Sequence, residues 1–96
     1  MNTNICIAKE EIPQYTFLAE DVLQNDTQAR FIRRYNLARA ERLGNAFHGK
    51  VKIAFHTVTS GIREVSTTVW STSDDFVSLK GGVMVPVRAI SSIDFS

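Results

Sequence analysis

A single cysteine, Cys6, is all the thiol chemistry this chain carries. That excludes an intramolecular disulfide and, alone, any thiolate metal site, so a reducing compartment is expected. Prolines are scarce, two in 96 residues, and there is no polar low-complexity tract; with 44% hydrophobic residues the chain is expected to fold rather than stay disordered. Also lacking in the opening MNTNICIAKEEIPQYTF are the basic start and extended apolar run of a secretory leader, and no apolar stretch reaches the length of a membrane span. The expectation is a soluble cytoplasmic protein. Ninety-six residues are too few for two separate cores, and a single core of this size is small enough that oligomerisation is a natural way to gain stability.

Catalytic patterns are lacking as well. Cys6, His48 and His56 offer a nucleophile and bases, but their spacing matches no triad and no third orienting group stands near them in sequence. Two histidines eight positions apart make no metal motif without further ligands. Asp74 and Asp75 are adjacent acids of the kind that form turns. No cofactor is implied, and the chain is expected not to be an enzyme.

What is present is a segregated charge. The net +1 divides into minus four over Met1 to Asp26 (Lys9 against Glu10, Glu11, Glu20, Asp21 and Asp26) and plus five from Thr27 to Lys50. That basic segment carries Arg30, Arg33, Arg34, Arg39, Arg42 and Lys50 against Glu41, while the remainder cancels at four of each sign. Such asymmetry signals a polyanionic partner, or an acidic arm that folds back on its own basic surface. The expected division is an acidic arm over 1–26 and a helix-plus-barrel domain over 27–96.

Hydrophobic periodicity fills in that domain. Ile5 and Ile7 suggest a short edge strand or an ordered arm, and YTFLAEDVLQ one or two helical turns after Pro13. Asp26 or Thr27 is an N-cap for a helix running to about Arg42 or Leu43, with Gly44-Asn45 as its stop. Ala29, Ile32, Tyr35, Ala38 or Arg39, Leu43 and Phe47 then form the expected buried stripe, with Arg30, Arg33 and Arg34 on another face. Beyond it the period changes to two. Val51, Ile53 and Phe55 alternate as one strand, TVTSGI turns, and REVSTTVWST makes a second, β-branched strand. Phe76 to Lys80 is a third, Gly81-Gly82 supply a hairpin turn, Val83 to Val85 return as a fourth, and after Pro86 the positions Ile90, Ile93 and Phe95 mark a fifth. One helix and five short antiparallel strands predict a mainly β fold with an N-terminal helix, closed into a small, strongly bent barrel.

In VKIAFHTVTSGIREVSTTVWS, SDDFVSLKGG and VMVPVRAISSI this order resembles the Sm-like family of RNA-associated barrels, including its bacterial RNA-chaperone branch. The first two stretches look like its first motif and the third like its second, in which a tight turn carries a cation. The resemblance implies a five-stranded Sm-like barrel, a homo-oligomeric ring formed by pairing strands four and five between subunits, and non-catalytic binding of RNA or single-stranded nucleic acid. Arg88 falls at the turn that faces the pore in family rings. Phe76 falls at the position of a stacking aromatic. Asp75 and Val87 replace the polar and cationic neighbours usual in the family, and Ser66-Thr67 stand where the long strand usually carries a second glycine.

The candidate nucleic-acid contacts are therefore Arg88, Phe76, Arg30, Arg33 and Arg34. Each has a structural alternative: a surface ion pair for Arg88, core packing for Phe76, and docking of the acidic arm for the helix arginines. If those alternatives hold, the expected protein is a structural or protein-interaction ring that keeps the fold without binding nucleic acid. Trp70 suits a core or an interface.

Overall fold

The computed structural model describes residues 5–95. It is a mixed globule of one long helix and seven strands in two sheets. Strand β1 (Ile5–Ile7) leads through a 3-10 turn (Lys9–Gln14) and an irregular strap to helix α1 (Thr27–Phe47). There follow β2 (Val51–Thr57), β3 (Gly61–Thr67), β4 (Val69–Thr72), β5 (Phe76–Leu79), β6 (Met84–Pro86), a 3-10 turn (Val87–Ala89) and β7 (Ile90–Asp94). One sheet has the order β1-β3-β2-β7 and the other β4-β5-β6.

The sequence-predicted second strand is two strands. Thr68 alone separates β3 from β4, and there the chain passes from one sheet to the other, which is why five expected strands become seven once β1 is added. β2 is flanked on both sides, antiparallel to β3 and to β7, with a register shift at Ala54/Phe55. Its residues Val51, Ile53, Ala54 and Phe55 are all buried. Phe55 is fully enclosed and meets the rings of Tyr15 and Phe17 at centroid distances of 6.2 and 5.9 Å. The second sheet adds Val69, Val77, Leu79 and Val85 to the same core. Gly81 and Gly82, with φ of 91° and 86°, close the β5–β6 hairpin in the backbone region that only glycine adopts without strain.

Three sequence expectations are corrected here. First, YTFLAEDVLQ forms no helix but an irregular strap. It is held by long-range bonds instead: the Val58 N–H donates to the Thr16 carbonyl and the Val22 N–H to the Arg88 carbonyl, at 2.8 and 2.9 Å. Second, α1 starts as expected, the Asp26 carboxylate accepting from the Ala29 N–H at 2.9 Å, but it runs through Gly44 to Phe47. His48, in the left-handed conformation at φ 55°, ends it. Gly44 is a packing residue, not a stop: a Cβ there would collide with the Val69 carbonyl oxygen of β4.

Third, the buried face of α1 is Arg33, Leu37, Ala40 and Gly44; of the predicted stripe, Leu43 packs against the core and Ala29 and Ala38 are half-buried, while its large members Ile32, Tyr35 and Phe47 face outward. Ile32, Tyr35 and Phe47 are 49, 56 and 76% exposed. The small side chains of Ala40 and Gly44 let the helix approach β4 closely, and Glu41 fixes that approach by accepting both the N–H and the hydroxyl of Thr72 at 2.9 Å. Close packing at small residues outweighs the apolar count of the other face.

The segment before α1 lies against the body. β1 pairs in parallel with β3, and Ile12, 1% exposed, belongs to the common core. Among the described residues no helix is long and apolar enough to cross a membrane.

Candidate nucleic-acid interface

Arg88 sits on the 3-10 turn between β6 and β7, half-buried. Its Nε donates to the Leu18 carbonyl at 2.6 Å, while its own carbonyl accepts from Val22. The strap thus crosses directly over the turn at which the sequence placed the key cation. Immediately beside this crossing is Asp21. Both oxygens of its carboxylate take the Arg33 guanidinium, Nη1 to Oδ1 at 2.9 Å and Nη2 to Oδ2 at 2.6 Å, and Arg30 Nε stands 3.6 Å from Oδ2. Arg33 Nη1 also donates to the Ile90 carbonyl at 3.0 Å, tying the strap and the helix to the start of β7.

Burial acts to raise the pKa of Asp21. The hydrogen bonds from Arg33 and the Leu23 N–H, and the charges of Arg33 and Arg30, outweigh it and hold the carboxyl below its ordinary value of 3.8. Bidentate, charge-assisted pairing of this kind is the strong form of an ion pair.

The structure therefore brings Arg30, Arg33 and Arg88 together, but around the strap and not around an open surface. Arg33 is 7% exposed and committed, so its expected role as a phosphate contact is corrected to that of a structural clasp. Arg34 lies apart, paired with Asp74 at 3.1 Å in full solvent. Such an exposed pair is held weakly, so this guanidinium is easily recruited elsewhere.

Phe76 opens β5, 42% exposed, opposite Pro86 in the β5–β6 ladder. The Asp75 carbonyl accepts from the Val87 N–H at 2.9 Å, so the turn before Phe76 abuts the turn that bears Arg88. Trp70 and Met84 are also exposed on this smaller sheet.

Beside the strap opens a cleft of about 620 Å³ lined by Leu18, Glu20, Asp21, Val22, Gln24, Asn25, Arg30 and His56. Two carboxylates against one arginine make it a poor seat for a phosphate, since like charges repel there. Cys6 is exposed with its thiol 3.8 Å from a Glu64 carboxylate oxygen, His48 caps the helix, and His56 borders the cleft, so no two of the three are brought together. Among the described residues no group of three potential ligands surrounds a metal position.

Sequence reasoning missed a second cleft, and this one is basic. Arg39, Arg42, Leu43, Ala46 and Phe47 at the end of α1 line it, open to solvent, together with Phe95, which follows β7. The Arg39 guanidinium lies over the Phe95 ring, 4.2 Å from its centroid. Only the return of β7 beside β2 puts residues 39 and 95 together, and no local pattern carries that information.

No known family profile, curated protein or solved structure matches this chain.

Proposed function

We propose that the chain is a Sm-like small barrel that assembles as a homo-oligomeric ring and binds single-stranded nucleic acid, RNA in the first instance, without catalysing a reaction. The observation that carries this reading is the strand path. β6 and β7 are each the last strand of their sheet, and the 3-10 turn bearing Arg88 joins them. Among the described residues no strand lies beyond β6 or β7 in their sheets, and such sheet edges are ones that proteins can cover by pairing with another copy. Pairing β6 of one subunit with β7 of the next is a heterologous contact, of the kind that closes into a ring when the rotation between subunits does, with each copy's Arg88 then equivalent about one axis. Phe31, Ile32 and Tyr35, exposed on α1, add apolar surface of the kind assemblies cover.

Light scattering on the purified protein, followed by fluorescence anisotropy with short labelled oligo-U and oligo-A at low and moderate salt, tests both halves. An oligomer whose oligonucleotide affinity falls steeply with salt is the expected result. A monomer that binds neither oligonucleotide refutes the proposal. One further reading has its own support: Arg30 and Arg33 are spent on Asp21, and Asp75 borders Phe76, both of which weaken an anion site. On that reading the ring is a structural or protein-interaction module, and the same experiment returns an oligomer that ignores both oligonucleotides.

A further inference from the structure

We infer that the cleft between the end of α1 and Phe95 is a nucleotide site, binding one base of a single-stranded chain by stacking and its phosphate by paired arginines. This rests on the nucleic-acid reading above but moves its main contact away from Arg88 and the strap.

The cleft is about 420 Å³, within the usual range for small-ligand sites, and is lined by Arg39, Arg42, Leu43, Ala46, Phe47 and Phe95. No carboxylate of the described residues lines it. Of the two nearest in sequence, Glu41 accepts from Thr72 of β4, and Asp94 stands opposite Lys52 in the backbone register of the β2–β7 ladder. Both cleft arginines are exposed and, unlike Arg30, Arg33 and Arg34, neither forms an ion pair with any described carboxylate. Lys50 and Lys52, both exposed just beyond the helix, extend the positive field.

The aromatic groups complete the chemistry. The Arg39 guanidinium carbon lies over the Phe95 ring, 4.2 Å from its centroid, a cation–π contact that does not use its N–H donors. Those donors are left to grip a phosphate bidentately. Phe47, 76% exposed, is the most exposed large apolar side chain among the described residues, and it borders the same cleft. A face of π character beside two unpaired arginines matches what single-stranded nucleic acid presents, namely a base with a phosphate attached. An apolar peptide would leave both charges unanswered.

The test is anisotropy with labelled oligo-U and oligo-A on the intact chain, comparing wild type with Arg39→Gln/Arg42→Gln, Phe47→Ser and Arg88→Gln. All four positions lie at the surface or half-buried outside the core cluster, and thermal melts check that each variant is folded. The double arginine variant is expected to lose about one to two units of the log–log salt slope, at roughly 0.7 per phosphate contact. Phe47→Ser is expected to weaken binding by roughly five-fold to a hundred-fold with the salt slope unchanged, as loss of one stacking platform does. Arg88→Gln is expected to change affinity less than either. Wild-type binding that survives the α1 variants but is lost in Arg88→Gln overturns this site while keeping the nucleic-acid reading. Wild type that binds neither oligonucleotide overturns both.

Discussion

Replacing Asp21 by Asn tests the strap with the least change of shape. The side chains of Arg33 and Asp21 are 7 and 15% exposed, so the pair is largely desolvated. Removing one partner of a buried pair leaves an uncompensated charge and costs about 3–5 kcal/mol. Arg33 keeps its bond to the Ile90 carbonyl, and the amide oxygen of Asn still accepts, which places Asp21→Asn near the lower end, at about 3 kcal/mol. Against a total stability of about 5–15 kcal/mol, that is between a fifth and more than half of the whole. At roughly 4–8 °C per kcal/mol for a domain of this size, the melting temperature falls by about 12–24 °C.

Circular dichroism melts and urea titrations of Asp21→Asn, Arg33→Met and the double variant Asp21→Asn/Arg33→Met complete a cycle. Removing both charges removes the desolvation penalty with the attraction, so the double variant is expected to recover much of the loss. A melt of Asp21→Asn within about 3 °C of wild type, or strictly additive losses in the cycle, refutes the clasp.

The same carboxyl gives a pH signature. Its folded pKa lies below the ordinary 3.8, so its contribution is present above that value and is lost as pH falls through the lower, folded one. The stability gap between wild type and Asp21→Asn is therefore expected to narrow on acidification across that window in urea titrations; a constant gap refutes the assignment. Gly44→Ala separates two opposed effects. Intrinsic propensity favours Ala in a helix by about 1 kcal/mol, whereas collision with the Val69 carbonyl is expected to win and destabilise by about 1–3 kcal/mol in urea titrations, so the sign alone decides. At Gly82, φ 86°, an added Cβ meets open space, so Gly82→Ala is expected to cost only its backbone strain, about 1–2 kcal/mol, read from the same titrations.

The parts of the fold that sequence made legible are those written locally. The N-cap at Asp26, the alternation of Val51, Ile53 and Phe55, and the Gly81-Gly82 hairpin each depend on neighbours a few residues away. What failed depended on partners far off in sequence. Ile32, Tyr35 and Phe47 carry a helical period as good as that of the true buried face, and only the shape of β4 decides that Ala40 and Gly44 face it instead. Arg33 reads as a surface cation until Asp21, twelve positions earlier, is seen to reach it. YTFLAEDVLQ has the composition of a helix, yet its backbone is claimed by Val58 and Arg88, more than forty residues downstream. The candidate site follows the same division: residue types were readable, their pairings were not.

That division bears on how the segregated charge is to be understood. A segment of minus four followed by one of plus five has two explanations, a polyanionic partner or self-neutralisation, and at the level of sequence they compete. In three dimensions they fall on different residues. The acid that reaches the helix is Asp21, and it meets Arg30 and Arg33, near the N-terminal end of α1, where the strap arrives. Arg39 and Arg42 lie about two turns further along a rise of about 1.5 Å per residue, beyond any ion pair with the strap. Self-neutralisation thus accounts for the first part of the helix and leaves the second part cationic, next to the two aromatic rings of the α1–Phe95 cleft. If the strap were the whole purpose of the basic helix, arginines at 30 and 33 would suffice. Charge reversal at Asp21 is consequently expected to unsettle the fold, and charge removal at Arg39 and Arg42 to leave the melt within about 2–4 °C of wild type, the range of ordinary surface substitutions, while weakening any polyanion that binds.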